Sequence, residues 1–450
     1  MKRISQVMSL VLIISLLMSQ LVLGEEVQWE SAPVPTLISA PTDAPSPWAA
    51  WEVQMAGVYG LGNEMTYEGY QTEATALQLL AIEASFERTF KVNDVDKIDV
   101  DKAITRGDAV KELYDVISLV LNVEKEATLE VASEYFVANT IIRGRSEGNL
   151  ALEENCTTQE LIIFAKRAYD HTVYALGEDS KGCYWKVSDE DNTVYLLGSI
   201  HVTDGSAYPL SKVIMNDFVV ADYLAVEANV LVLKPEDTAY IQQIVMLEGD
   251  VTLDQLISEE NYAAYAEIVS AIGLTEEVYN KFKPWYAAIL IQTLLMSEES
   301  LEGSMGIDVY FLAAATGWKP IIELESVKYQ MDLFDSFSNE LQESYLAGVL
   351  EGDTESIDAV KDMLAYWKDG NVDELAKMLV VDEDGDAVSA EFNEKLFTTR
   401  NANMLKQVQD MLIKDSENDY FVVVGAGHMV NETGIVQGLR DLGYEVELIN

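Results

Sequence analysis

Two kinds of apolar spacing divide the chain. From Trp48 to about residue 178, apolar residues recur three and four apart, the spacing of amphipathic helices. Trp48-Ala-Ala-Trp51-Glu-Val-Gln-Met-Ala-Gly-Val-Tyr-Gly60 reads as a helix that stops at a glycine, and a second helix is expected near 73–89. Ile104-Thr105-Arg106-Gly107-Asp108 opens a third with a threonine cap. Another unit starts near Leu129 and runs toward Gly144, and Cys156-Thr157-Thr158-Gln159-Glu160 opens a last capped helix. From Cys183 the pattern changes to short apolar runs separated by longer helical stretches. Strands are expected at 184–187, 193–200, 222–227, 319–325, 420–425 and 444–449, the first two joined by the turn Ser188-Asp-Glu-Asp-Asn192. Helices are expected at 209–221, through 235–317, from about 338 to 415, and at 431–442. Strands that alternate with helices indicate an α/β layered domain. The expected architecture has a central, mostly parallel sheet flanked by helices. It carries a long helical insert, a candidate lid, and follows a small all-α, repeat-like domain.

The first 47 residues belong to neither pattern. Lys2 and Arg3 precede a run from Val7 to Leu23 rich in Leu, Ile, Val and Met, and Val22-x-Gly24 offers small residues for cleavage. Residues 1–24 therefore read as a secretory signal peptide, with an uncleaved membrane anchor as the rival. No cysteine stands at the cleavage point, which argues against a lipoprotein. Residues 25–47, with Ala-Pro-Val-Pro, Ala-Pro-Thr and Ala-Pro-Ser-Pro, read as an extended linker. No later run is apolar enough to span a membrane. The expected location is secreted, extracellular or associated with the cell envelope.

Charge narrows the partners. The chain has 77 acidic against 29 basic residues, a formal net charge of −48. Such a surface repels nucleic acid and anionic lipid. The two cysteines, Cys156 and Cys183, are too few for a disulfide framework or a cysteine zinc site, and a single bridge between them stays open.

The candidate chemistry sits at strand ends. Tyr195-Leu-Leu-Gly198-Ser-Ile-His201 and Val422-Val-Val-Gly425-Ala-Gly-His428 are apolar runs that reach a glycine and, three residues later, a histidine. They hold two of the chain's three histidines. Glu227 ends the run 222–227 and Glu325 ends 319–325. In open α/β sheets, sites form at the carboxyl ends of the strands, so parallel strands would bring His201, Glu227, Glu325 and His428 together. The glycines would let the backbone turn or approach a ligand without a Cβ clash. The plainer reading makes the histidines buried loop plugs and the glutamates helix caps. His171, on a helical stretch, carries no expected function. Asp94-x-Asp96-x-x-Asp99-x-Asp101 and Asp382-Glu-Asp-Gly-Asp386 lack EF-hand spacing and read as solvated loops. No nucleophile elbow, phosphate loop or dinucleotide fingerprint is present.

Two resemblances add to this reading. The segment 183–450 resembles the TraB/GumN family, related to the Tiki metalloproteases and more distantly to erythromycin esterases and ChaN-like proteins. The residues that carry it are Leu197-Gly-Ser-Ile-His201, Ala225-Val-Glu227, Lys283-Pro284-Trp285, Gly306-Ile-Asp308, Leu324-Glu325 with Gln330, Trp367 with Gly370, Arg400-Asn401 and Gly425-Ala-Gly-His428. Met429-Val-Asn-Glu after His428 departs from the commoner Leu-x-Gly. The resemblance implies a hydrolase, with a peptide or small-molecule substrate. His201, Glu227 and His428 would bind a divalent metal ion, with Glu325 as second ligand or general base. The esterase relatives imply a metal-free variant with Arg400 assisting, and a non-catalytic envelope binding protein is the third reading. Residues 48–178 resemble degenerate S-layer homology repeats, which implies a cell-wall polymer as partner. Only Thr105-Arg106 keeps their Thr-Arg motif, so a spacer role is equally open.

Overall fold

The computed structural model describes residues 44–92, 103–123, 128–146, 148–352, 354–379, 386–414 and 417–449. The segment 1–24, the linker up to residue 43, the run from Asp94 to Asp101, and positions 382–385 of the second acidic run lie outside the described residues. The chain divides between residues 179 and 180 into two compact units.

The first unit is helical: α1 (Ala50–Val58), α2 (Ala76–Phe90), α3 (Arg106–Leu121), α4 (Leu129–Ala138) and α5 (Thr158–Leu176). Three of these start alike. Thr75 with Gln78, Thr105 with Asp108, and Thr157 with Glu160 form reciprocal capping boxes, each closing two backbone donors that a helix start leaves open. The residues just before these caps bond to one another in a closed ring. Ala74 N donates to Cys156 O (2.8 Å), Cys156 N to Ile104 O (3.0 Å), and Ile104 N to Ala74 O (3.2 Å). The weak internal repetition of the sequence is thus a ring of three helix starts. The helix expected to run from Leu129 toward Gly144 ends at Ala138, where Asn139 folds its side chain back onto the carbonyl of Tyr135.

The second unit carries one six-stranded sheet in the order β4-β3-β5-β2-β1-β6. Its strands are β1 (Cys183–Ser188), β2 (Thr193–Ser199), β3 (Tyr223–Val226), β4 (Ile321–Glu323), β5 (Asp419–Gly425) and β6 (Val446–Leu448). β4, β3, β5 and β2 run parallel, while β1 lies antiparallel to both β2 and β6. β2 and β5 are buried from their second residue onward, as expected of parallel strands covered on both faces. Asn192 closes the β1–β2 turn and reaches across to the carbonyls of Leu412 and Lys414. Phe421 of β5 sits at the centre of an aromatic core with Tyr184, Tyr195, Phe218 and Phe311.

The long insert between β3 and β4 holds α6 (Pro235–Ile244), α7 (Glu259–Ala271), α8 (Glu276–Tyr279), α9 (Pro284–Glu298) and α10 (Ile307–Ala315). After β4 come α11 (Val327–Asp335), α12 (Asn339–Leu350), α13 (Thr354–Lys368), α14 (Val372–Leu379), α15 (Ala387–Asn393) and α16 (Thr399–Leu412). A single π turn at Glu394–Thr398 leads into α16. Cys156 and Cys183 are buried free thiols. No described helix is long and apolar enough to cross a membrane.

Candidate functional site

The four parallel strands deliver their side chains to one edge. His201 stands two residues beyond β2, Glu227 directly follows β3, and Glu325 lies two residues beyond β4. His428 lies on a short helix, Ala426–Val430, that starts where β5 ends. All four side chains are at most 4% exposed. Glu227 is the centre. Its Oε1 lies 3.9 Å from His201 Nε2 and 3.9 Å from His428 Nε2, and accepts a 2.7 Å bond from the Gly425 amide. Its Oε2 accepts from Arg400 Nη2 (2.6 Å) and Gln330 Nε2 (3.1 Å).

Glu325 stands in a second position. Both its oxygens face Arg400, Oε1 taking Nε at 2.8 Å and Oε2 taking Nη2 at 2.8 Å, and Gln330 bridges Oε2 to Glu227. Arg400 is 2% exposed. Burial opposes its charge, but the two carboxylates outweigh that cost and hold the guanidinium charged. The π turn immediately before α16 ends two residues before Arg400. Such turns recur at functional sites because they rotate the following side chains relative to a regular helix.

The imidazoles are held from behind. His201 Nδ1 lies 2.9 Å from Asp308 Oδ1, and His428 Nδ1 lies 2.6 Å from Asn401 Oδ1. The far nitrogens, His201 Nε2 and His428 Nε2, are buried and have no hydrogen-bond partner. Burial opposes charge on both rings, but the balance differs. At His201 the Asp308 carboxylate, and Glu227 behind it, overcome burial and raise the imidazole above its usual range. At His428 burial, reinforced by Arg400, keeps the ring neutral far below its usual range.

The glycines contribute room rather than rotation. Neither Gly198 nor Gly425 has positive φ. A Cβ on Gly425 would stand 2.9 Å from His201 Nε2 and 3.3 Å from Glu227 Oε1, inside the space the four groups surround. One on Gly198 would meet the Ala426 Cα at 3.0 Å, while Trp367 Nε1 bonds the Gly198 carbonyl at 2.6 Å.

The profile of the TraB/PrgY/gumN family matches residues 183–448, the whole of this sheet and its site. The chain belongs to that family. A relative 25% identical over 253 residues is an Escherichia coli (strain K12) protein described as uncharacterized protein YbaP. The match covers 55% of this chain and 87% of the relative. A Shigella flexneri protein of the same description matches to the same extent. No solved structure matches the chain.

The donor set of this TraB/PrgY/gumN domain fits a divalent ion in kind. Two neutral-capable nitrogens without partners face one carboxylate oxygen, and the cradle beside them is kept clear by a glycine. Among the described residues no three His, Cys, Asp or Glu side chains already close on an ion-sized point. Each Nε2 stands 3.9 Å from Glu227 Oε1. The chemistry of the donors decides the question of fit, and they fit.

Nothing in the strand-end pattern gave Asp308 or Asn401 a role. They lie on helices, away from any strand end, and the only signal was their place in Gly306-Ile-Asp308 and Arg400-Asn401. His171 lies elsewhere, on α5, where its Nε2 meets Tyr135 Oη at 2.7 Å. In the first unit Arg106 is 2% exposed and bonded to Glu160 and to the carbonyls of Leu150 and Arg143.

Proposed function

We propose that the domain is a metal-dependent hydrolase acting on peptide bonds. The observation that carries this is the pair of orphaned Nε2 atoms, both turned toward Glu227 Oε1 in a buried, preformed site. His201, Glu227 and His428 would hold the ion. A divalent ion bound by two histidines and a carboxylate supplies a Lewis acid for a carbonyl oxygen and lowers the pKa of bound water. The chain's own residues do the rest. Arg400 and Gln330 fix Glu227 Oε2, so that Oε1 alone faces the histidines. Glu325, with both oxygens against Arg400, keeps the guanidinium in register. The ring of Phe397 packs 5.5 Å from that of His428. The peptide substrate is supported by the likeness to the Tiki metalloproteases, and export by the apolar segment 1–24.

A second reading, a metal-independent esterase-like hydrolase, is favoured by one observation. Arg400 already compensates both glutamates, so their charge is balanced without a metal ion, and the orphaned His201 Nε2, backed by the Asp308 carboxylate, would be the base for water.

The test is to purify the full chain, measure bound metal, and assay mixed peptides and a panel of esters with and without chelator. The metal reading predicts about one ion per chain, peptide cleavage abolished by chelator, and loss of both in His201→Ala and His428→Ala. Ester turnover indifferent to chelator would establish the second reading. No bound metal with no turnover of either substrate class would end both.

A further inference from the structure

We propose that Asp308 and Asn401 are positioning residues that fix the two histidines in the same tautomer, so that both Nε2 lone pairs face the centre of the site. The inference deepens the metal-site reading and rests on it only for its affinity arm. The tautomers follow from what each acceptor is able to do. A carboxylate oxygen accepts, so at 2.9 Å the hydrogen belongs to His201 Nδ1. Asn401 could in principle present either end of its amide. Its Nδ2 is committed to the Thr433 carbonyl at 3.1 Å, which turns Oδ1 toward the ring. Oδ1 only accepts, so at 2.6 Å the hydrogen belongs to His428 Nδ1. A neutral imidazole with its hydrogen on Nδ1 carries its lone pair on Nε2. Those are the two atoms without partners.

Each positioning residue is anchored in turn. Asp308 is in the first turn of α10, and that helix start is tied to the His201 loop by Ile307 N donating to Ile200 O at 3.0 Å. A Cβ on Gly306 would lie 2.4 Å from the His201 carbonyl, so this approach requires a glycine. Asn401 is 1% exposed on α16, next to Arg400, so one helix carries both the clamp on the glutamates and the clamp on His428. The helical insert, by supplying Asp308, is part of the site.

The two clamps differ in chemistry. A carboxylate behind an imidazole strengthens the far nitrogen as a donor more than an amide does. His201 should therefore be the stronger ligand and His428 the weaker.

The experiment uses the full chain, with Zn2+ as probe and nitrogen-15 spectra of the metal-free imidazoles, taken at a pH where both rings are neutral, as a second readout. The variants are Asn401→Leu, Asn401→Asp, Asp308→Leu and Asp308→Asn, each checked for a cooperative unfolding transition. Asn401→Leu should release His428 from its single tautomer and weaken Zn2+ about 10–100-fold, with Asn401→Asp restoring both. Asp308→Leu should do the same at His201, and Asp308→Asn should restore the tautomer with only part of the affinity. A wild-type tautomer with unchanged Zn2+ affinity in folded Asn401→Leu and Asp308→Leu would overturn the proposal. If the wild type binds no Zn2+, the metal reading fails, while the tautomer change still decides the role of the two residues.

Discussion

Each unit of the molecule buries an arginine against carboxylate, and the two networks differ in what they leave open. In the helical unit, Arg106 bonds Glu160 and two carbonyls. Glu160 takes further bonds from Arg145 and from the backbone and hydroxyl of Thr157. Burial would raise the Glu160 carboxyl, but Arg145, Thr157 and Arg106 outweigh it and hold it below its usual range. That network is closed. In the α/β unit, Arg400 bonds Glu227 and Glu325 in a similar manner, yet two imidazole nitrogens beside it have no partner. A buried polar atom left unsatisfied costs about 1–3 kcal/mol, so a fold retains two of them together only against some compensation. Buried charge alone therefore does not mark a site; buried charge beside matched orphan acceptors does.

The largest expected effect separates the two arginines. Arg400→Ala leaves Glu227 and Glu325 buried without their cation and should destabilise the α/β unit by about 3–5 kcal/mol. Arg106→Ala leaves Glu160 with Arg145 and Thr157 and should cost less, about 1–3 kcal/mol from the two abandoned carbonyls. Urea unfolding of both variants measures the difference. Equal losses would show that the two networks are of one kind.

A smaller effect concerns Glu83, 1% exposed on α2 with both carboxylate oxygens unpartnered. Burial, with Glu112, Glu87 and Asp115 adding to it, raises this carboxyl to about 8. A carboxyl raised in the folded state is bound to its proton more tightly there than in the unfolded chain. Its stability contribution is therefore complete below the ordinary carboxylate pKa and falls as pH climbs from there toward 8. The slope is at most about 1.4 kcal/mol per pH unit. Glu83→Gln should flatten this part of the stability–pH curve of the helical unit, and an unchanged slope would refute the assignment.

The smallest expected change in stability is the most specific for the site. Gly425→Ala places a methyl against His201 Nε2 and Glu227 Oε1 without backbone strain, since φ there is −50°. Thermal unfolding should move by only a few degrees, while Zn2+ binding falls at least about tenfold. Unimpaired binding would show that the ion, if bound, lies elsewhere.

Much of this was legible in the residues. The β1–β2 hairpin, the parallel strands and the arrival of His201, Glu227, Glu325 and His428 at one edge follow from apolar runs that end in polar residues. The part that was not legible comes from helices. Asp308 stands well before β4 in the chain and Asn401 far beyond it, and helical periodicity does not say which turn will lie behind a histidine. Arg400 had an equally plausible partner in any acidic helix face of so acidic a chain; the structure gives it Glu227 and Glu325. In the helical unit the caps at Thr105 and Thr157 were readable one by one, and the one at Thr75 was not. Nor was their ring, because single-residue bridges leave no alternation in the sequence.

That ring makes the helical unit indivisible. Each of Ala74, Ile104 and Cys156 both gives and receives one backbone hydrogen bond, so removing any one segment opens two of the three bonds at once. Repeats that stack end to end can be shortened by one and still close; three that meet head to head cannot. The junction is carried by the last loop residues before the helix starts, so their register is fixed. The number of helix starts is not free either.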